Sequence, residues 1–276
     1  MEWKSPKELK SKYIQNKPVE MYVFVDPFCM DCWTLSPIVK KLQIQYGDYF
    51  TLKHVLAGDL TVLNSGKSGT PKAGRKADPA ASPEKTVHMP HLAAISIKAA
   101  ELQGKRAGIR YLRRLQELHF MEQADITDIY VLEQCASHVG LDQKEFLHDL
   151  YSSSAARAFQ CDLIIASEMN VGEMPAVVFF NERIEDEGLK ISGLYSYDIY
   201  VHILTEMLGG YVQPTELPPL ELYLSANPMV STRDLAVIYD MPVQKIERKM
   251  KKLQLQRRVE RIHTKNGSYW KYIAYN

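Results

Sequence analysis

The chain has 276 residues, of which 46% are hydrophobic and 24% are charged, and its formal net charge is +1. This size allows one large domain with a small one, or two medium domains, and the composition is typical of a globular protein. The balanced charge gives no global reason to expect a nucleic acid or a membrane as partner, and no segment approaches the roughly 18 apolar residues of a membrane span. Because residues 1–6 lack the apolar core of a signal peptide, we expect a cytoplasmic protein.

The first part of the chain predicts a strand, a helix and a second strand. Residues 5–15 are expected to form a short polar helix before them. β-branched and aromatic residues at 21–26 indicate a buried strand. A helix is predicted from about Cys32 to Tyr46, and Pro37 is expected to kink it. Residues 50–56 have the pattern of the second strand.

Two segments of different composition follow. Residues 64–87 are rich in Gly, Ser, Pro and Lys, which predicts a mobile loop. Residues 90–170 have a helical pattern almost throughout, and its breaks indicate four or five helices, one of them capped by Asp142. One of these helices carries three arginines that we expect on a solvated face, with a patch for a partner as the alternative: Arg110, Arg113 and Arg114.

Strand signals return after the helices. Met174-Pro175 is followed by an apolar strand over residues 176–180, and residues 189–191 indicate its hairpin partner. A helix is predicted over residues 197–208, and Gly209 and Gly210 end it. The proline-rich stretch at 210–219 is expected to be a linker.

The last part of the chain is strongly basic. Residues 245–271 hold ten Lys or Arg and two acids, so they carry a net charge of +8, whereas the rest of the chain carries −7. Helices are predicted over 220–226, 232–239 and 242–254, followed by a hairpin with a type I′ turn at Asn266-Gly267. Three helices and a two-stranded wing predict a winged-helix-like domain.

The motif Cys29-Met30-Asp31-Cys32 lies between the first strand and the first long helix. This position places Cys29 at a helix N-terminus, where unpaired N–H groups and the helix dipole favour a thiolate. Cys32, one turn later, can then resolve a mixed disulfide. The Asp31 carboxylate next to the thiols disfavours the thiolate, which argues against a strong oxidase.

Three other interpretations of the cysteines and histidines stay open. The pair Cys29 and Cys32 could be a fold feature without turnover, or a sensor that alters partner binding. Zinc would need two more ligands nearby, and Cys135 and Cys161 lie in helical patterns that suit core residues. His88 and His91 flank a proline beside the predicted loop, so they are expected at the surface rather than on a metal. We expect no metal and no cofactor.

The chain resembles the thioredoxin superfamily in the order of its elements, which is strand, CxxC, helix, strand, helical insert, X-Pro, two strands and helix. The long insert resembles the DsbA-type branch of that superfamily. The resemblance spans about residues 18–209. It implies an α/β thioredoxin-like domain over residues 1–209, with the insert at about 90–170, followed by the winged-helix-like domain at 220–276. It also implies a cis bond at Met174-Pro175, placed against the CxxC.

The whole chain is similar to the SpxH (YjbH) family. The residues that carry the resemblance are Phe24-Val-Asp-Pro-Phe-Cys-Met-Asp-Cys-Trp33, the insert, Gly172-Glu-Met-Pro-Ala-Val-Val-Phe-Phe180 and the basic tail. The family implies a cytosolic adaptor that binds the transcription regulator Spx and promotes its degradation by the ClpXP protease. It implies binding rather than catalytic turnover. The expected partner-binding residues are Met174, Pro175 and Trp33.

Two rival functions remain. The first is a cytosolic dithiol-disulfide oxidoreductase that uses Cys29 and Cys32. The second is a redox-sensing DNA-binding protein, suggested by the five basic residues of the third tail helix. We expect those residues to circle the helix rather than to form one reading face, so we do not expect nucleic acid as a partner. The alternatives for this basic domain are a protein-docking module, or a charge match to the acidic body of the chain or to an acidic partner.

Overall fold

The computed structural model describes residues 17–58, 90–181 and 188–273. The helix expected over residues 5–15 and the loop expected over residues 64–87 lie outside these ranges. Within them, no helix is both long enough and apolar enough to cross a membrane.

A four-stranded mixed sheet forms the centre of the larger part of the protein. Its strands are β1 (Val19–Val25), β2 (Phe50–Leu56), β3 (Ala176–Asn181) and β4 (Leu189–Ser192), arranged in the order β2-β1-β3-β4. β1 pairs in parallel with β2 and antiparallel with β3, which pairs antiparallel with β4. Both halves of the sequence therefore contribute to one sheet, as the resemblance to the thioredoxin superfamily implied.

The two faces of this sheet have separate cores. Alternate residues of β1, from Val19 to Val25, join a large cluster with the first long helix and the insert. Phe24 and Val55 point to the opposite face, where Ala166 closes a smaller cluster. Burial on both faces explains why β1 is an almost continuous apolar run.

Helix α1 (Met30–Tyr46) connects β1 to β2. It begins two residues before the predicted start at Cys32, because Cys29 serves as its N-cap. Tyr197–Met207 forms helix α7, which follows β4 and packs on the same face as α1. Both helices confirm their predictions to within two residues.

The insert consists of five helices, the upper of the two expected numbers. They are α2 (Pro90–Leu102), α3 (Lys105–Glu122), α4 (Ile129–His138), α5 (Gln143–Leu150) and α6 (Ser153–Glu168). The predicted N-cap Asp142 accepts hydrogen bonds from the backbone N–H groups of Lys144 and Glu145. Such caps satisfy N–H groups that have no partner within the helix.

The C-terminal part contains three helices and a three-stranded antiparallel sheet. The elements are α8 (Leu220–Ala226), β5 (Met229–Ser231), α9 (Thr232–Ile238), α10 (Val243–Leu255), β6 (Val259–Thr264) and β7 (Gly267–Tyr272), with the strands in the order β5-β7-β6. The short strand β5 was not predicted. The winged-helix assignment and the domain boundaries stay predictions.

The turn between β6 and β7 differs from the prediction. Thr264 pairs with Gly267, so the two turn residues are Lys265 and Asn266, and neither has the positive φ of a type I′ turn. Asn266 instead bonds to the end of α3: its side-chain amide donates to the Phe120 carbonyl at 2.8 Å. The position of this turn is therefore fixed by its contact with the insert rather than by the conformational preference of its own residues.

The C-terminal part packs on α1 at both ends of that helix. Near the last turn, the Thr215 N–H donates to the Gln45 carbonyl at 2.7 Å, and Ile44 packs on the C-terminal apolar cluster. Lys41 forms an ion pair with Asp240. Near the first turn, Trp33 packs against Tyr269 of β7. The helix that carries the CxxC motif therefore also supports the C-terminal part.

Candidate functional site

The two motif cysteines lie at the N-terminus of α1, as predicted. Cys29 is the N-cap, and its sulfur accepts a hydrogen bond from the Cys32 N–H at 3.1 Å. Both cysteines are free thiols. Cys29 is half-buried, whereas Cys32 is only 2% exposed. The pair is therefore asymmetric, with one sulfur accessible and one shielded.

The surroundings of Cys29 favour its thiolate. A hydrogen bond from the Cys32 thiol, with further ones from the backbone N–H groups of Cys32 and Asp31, lowers the pKa of Cys29 to about 7, although burial and the Asp26 carboxylate oppose this shift. The Asp31 carboxylate is not among the largest influences on this pKa. Its side chain is exposed and its N–H stabilises the thiolate, whereas the opposing charge belongs to Asp26.

Cys32 has the opposite electrostatic environment. Its hydrogen bond to Cys29 and its burial raise the pKa of Cys32 well above the ordinary value. Its sulfur accepts a bond from the Asp26 N–H at 3.5 Å. Cys29 can thus act as the attacking sulfur, while Cys32 stays protonated until a mixed disulfide forms beside it.

A small cavity lies behind Cys32. Its volume is about 50 Å³, and its polar lining includes Cys32, Ser36, His54 and Gln116. Burial lowers the pKa of His54 to about 4, so its imidazole is neutral near pH 7. His54 is half-buried in β2. The cavity is large enough for water but not for an organic cofactor.

The peptide bond Met174-Pro175 is cis, which confirms the prediction. It lies at the same end of the sheet as the motif, because Ala176 pairs with Phe24 and the chain reaches Cys29 five residues later. Met174 packs on the cluster that contains Cys32. The two distant sequence segments that carried the fold prediction therefore meet at one end of the sheet.

Exposed apolar side chains adjoin this end of the sheet. Met30, beside Cys29, is 47% exposed. The Gly193 N–H donates to the Pro175 carbonyl at 2.7 Å, which brings the following residues Leu194 and Tyr195 to the same edge, both exposed. We call Cys29, Met30, Met174, Pro175, Leu194 and Tyr195 the thiol surface, in which Pro175 itself is buried and Met174 is half-buried. Its last two residues were missed, since nothing in a short loop sequence distinguishes an exposed pair that faces a site.

Trp33, the third residue expected to bind a partner, lies inside the protein. It is 4% exposed and stacks on Phe120 of α3 with ring centroids 5.4 Å apart. The Arg113 guanidinium lies 5.6 Å from the Trp33 ring, and Arg113 also donates to the Trp33 carbonyl. A partner could contact this indole only if the hairpin of β6 and β7 moved.

The arginines of α3 correct another expectation. Arg110 is exposed, but Arg113 and Arg114 are mostly buried and form ion pairs. Arg113 pairs with Asp234 of α9 and, at 3.3 Å, with Glu117. Burial raises the pKa of Glu117 to about 7, although both arginines act to lower it. We call Trp33, Arg113, Glu117 and Asp234 the junction.

The other cysteines do not join the motif. Cys135 is buried, which fits the expectation of a core residue, but Cys161 is exposed, so that expectation is wrong for it. Among the residues that the structure describes, no group of three His, Cys, Asp or Glu side chains could hold a metal ion. His88 lies outside the described ranges.

Comparison with known proteins gives a consistent result. A family model described as thioredoxin matches residues 22–202. The ClpXP adapter protein SpxH of Bacillus licheniformis is 44% identical over 268 residues, which cover 93% of this chain and 89% of that protein. The ClpXP adapter protein SpxH of Bacillus subtilis is 41% identical over 270 residues, which cover 94% and 90%.

The solved structures give the fold. A crystal structure of a candidate protein disulfide isomerase from Nitrosomonas europaea superposes with a TM-score of 0.52 at 17% identity, and the match covers 70% of this chain and 96% of that one. At this identity the likeness concerns the fold alone. The predicted thioredoxin-like fold with a helical insert is confirmed.

Proposed function

This chain belongs to the SpxH family of ClpXP adapter proteins, and from that membership we propose that it binds the transcription regulator Spx and promotes the degradation of Spx by ClpXP. The observation that carries the proposal is the identity of 41–44% along more than nine-tenths of the chain. An adaptor for a cytoplasmic protease acts in the cytoplasm, which we propose as the location.

We place the Spx contact at the thiol surface. Its exposed apolar side chains can bury area against a partner. Met174 and Pro175 lie at the edge where thioredoxin folds bind extended segments, which favours main-chain pairing with a partner strand. Trp33 supports this surface from inside, since it directly follows Cys32 and anchors the first turn of α1.

The test is the half-life of purified Spx in the presence of ClpXP, with and without this protein. We expect the protein to shorten the half-life, and an unchanged half-life would falsify the proposed function. The double variant Cys29→Ser/Cys32→Ser is expected to have a modest effect, because an adaptor needs a binding surface more than it needs thiol chemistry.

A matched pair of variants tests the location of the contact. Leu194→Asp/Tyr195→Asp introduces two charges into the thiol surface and is expected to weaken Spx binding about tenfold or more. Tyr130→Asp/Tyr151→Asp introduces the same charges at two exposed tyrosines of the insert, and we expect binding to stay unchanged. If both variants changed Spx affinity equally, the contact would lie elsewhere on the protein, and the proposed adaptor function would be unaffected.

The asymmetric thiol pair supports a second candidate function, thiol-disulfide exchange. The Cys29 thiolate would attack a substrate disulfide and release one substrate thiol. Cys32 would then lose its proton and attack Cys29, which releases the second substrate thiol and leaves a Cys29–Cys32 disulfide. Further turnover requires a dithiol reductant. The pKa of about 7 for Cys29 is the observation that favours this chemistry.

Reduction of insulin by dithiothreitol, with and without the protein, tests this candidate. Catalysis predicts a faster reduction with the native protein than with Cys29→Ser. Equal rates for the two proteins would remove the enzymatic candidate and would leave the adaptor function untouched.

A further inference from the structure

Helix α10 presents a basic surface that the ion pairs described so far do not use. Its inner side is apolar, since Ile246, Met250 and Leu253 are buried. Glu247, the one acid of the helix, pairs with Arg261 of β6 at 3.6 Å. Five basic residues are exposed: Lys245, Arg248, Lys249, Lys251 and Lys252. None of them forms an ion pair within residues 17–58, 90–181 and 188–273.

These five charges occupy one side of the helix. At 100° per residue, the five basic residues span one continuous arc on the side of the helix that faces away from the core. The buried apolar residues and Glu247 occupy the remaining part of the circumference. The sequence-based description of charges surrounding the helix is therefore corrected. One side of α10 therefore carries five positive charges without an ion pair among the described residues, which gives it a positive potential that attracts anionic groups.

An apolar residue lies among these charges. Leu255, the last residue of α10, is 87% exposed. Residues three, four and seven positions earlier share its side of a helix, and these are Lys252, Lys251 and Arg248. We call Leu255 with the five basic residues the α10 surface. Exposure of a leucine within a cationic field indicates a partner that combines carboxylates with an apolar side chain.

The neighbouring hairpin argues against a nucleic acid. In a winged helix that reads DNA, the hairpin is free to contact the backbone or the minor groove. Here the turn is bound to the insert, because Asn266 donates to the carbonyls of Phe120 and Met121. An exposed leucine also has no counterpart on a phosphate backbone. The observations therefore favour a protein segment.

We propose that the α10 surface binds an acidic, amphipathic segment of a partner protein, in which carboxylates pair with the lysines and arginines and an apolar side chain covers Leu255. Such a segment gains affinity from apolar burial at Leu255, while the charges set the association rate and the orientation. This proposal does not depend on the adaptor function, since it uses only residues of the C-terminal part.

Fluorescence anisotropy with three labelled probes tests the proposal on the full chain. The probes are a short peptide of glutamates with leucine at every fourth position, the same peptide with serine for leucine, and a mixed-sequence duplex DNA of similar charge. We expect the leucine peptide to bind at low salt, about tenfold more tightly than the serine peptide and more tightly than the DNA. Equal affinities for both peptides, tighter binding of the DNA, or no peptide binding would overturn the proposal.

Variants identify the surface. Lys251→Glu/Lys252→Glu is expected to weaken binding of the leucine peptide about tenfold, and Leu255→Ser should remove its advantage over the serine peptide. The control Arg110→Glu/Lys144→Glu changes the net charge equally at exposed residues of the insert and should leave the affinity unchanged. A loss in the control as large as that in the α10 variant would contradict a local site. Since all five substituted residues are exposed, circular dichroism should report an unchanged fold.

Discussion

The first turn of α1 has two different environments on its two sides. On one side Cys29 and Met30 open onto the thiol surface, where hydrogen bonds to sulfur and exposed apolar residues dominate. On the other side Trp33 is enclosed by the insert and the C-terminal hairpin, next to a buried ion pair between Arg113 and Asp234. One side is exposed, and the other is enclosed by packing and an ion pair.

This difference shows how a reactive sulfur can be exposed at a helix N-terminus while that terminus stays well ordered. A helix terminus that carries a free thiol has little apolar burial on its open side. The junction supplies the missing support from the opposite side, and it does so with residues that lie far away in the sequence. The C-terminal part therefore determines how firmly the motif is positioned.

The largest expected effect comes from breaking the junction at Arg113. Arg113→Ala leaves the carboxylates of Glu117 and Asp234 buried without their main cation, so we expect the free energy of unfolding to fall by about 3–5 kcal/mol. Urea denaturation measures it. Arg110→Ala, at an exposed position of the same helix, should change it by less than about 0.5 kcal/mol. A loss for Arg113→Ala as small as the loss for Arg110→Ala would mean that the junction contributes no stability.

The next effect concerns the pH dependence of the junction. Glu117 has a pKa of about 7 in the folded protein and an ordinary value of 4.5, so between these values the folded state binds more protons than the unfolded state. The contribution of this group therefore stabilises the protein below about pH 4.5 and is lost as the pH rises through about 7. Glu117→Gln should remove this dependence.

Urea denaturation of the native protein and Glu117→Gln at about pH 5 and about pH 8 makes the comparison. The native protein should lose on the order of 2 kcal/mol more than the variant over this range. Parallel pH profiles would show that Glu117 does not titrate there. Groups such as His54 contribute equally to both proteins and cancel in the difference.

The smallest energetic effect is on the open side, at Cys29. The rate of its alkylation by iodoacetamide, followed by mass spectrometry of the modified peptide, should rise with a midpoint near pH 7. Cys32→Ala removes the strongest hydrogen bond to the thiolate and should raise the midpoint. Asp26→Asn removes the opposing charge, keeps the Oδ1 acceptor for the Phe28 N–H, and should lower it. A midpoint near the ordinary value of about 8.5 in all three proteins would contradict the assignment.

The open side could be predicted in part from the sequence, because most of its determinants are local or have a strong pattern, whereas Leu194 and Tyr195 were missed. Apolar strands, the CxxC at a helix start and the Met-Pro before β3 each have a short signature. The register of β1 with β3 then follows from the fold. These features were sufficient to predict the thiol pair, and the resemblance that they carry implied the cis bond at Pro175.

The enclosed side could not be predicted in the same way. Arg113 and Asp234 pair across a separation of 121 residues, and nothing in their local patterns distinguishes them from solvated charges. Trp33 was expected to bind a partner, although a large aromatic residue on α1 can also pack in an interface within the chain, as Trp33 does against Tyr269. The three-residue strand β5 is too short for an alternating pattern.

The attachment of the C-terminal part to both ends of α1 has a practical consequence for work with fragments. A shortened chain that ends before residue 220 would expose Ile44 near one end of the helix and Trp33 with Phe120 near the other. The fragment would expose two new apolar patches, one near each end of α1. Self-association through these patches would compete with the thiol chemistry. Measurements on such a fragment would describe its aggregation as much as its cysteines.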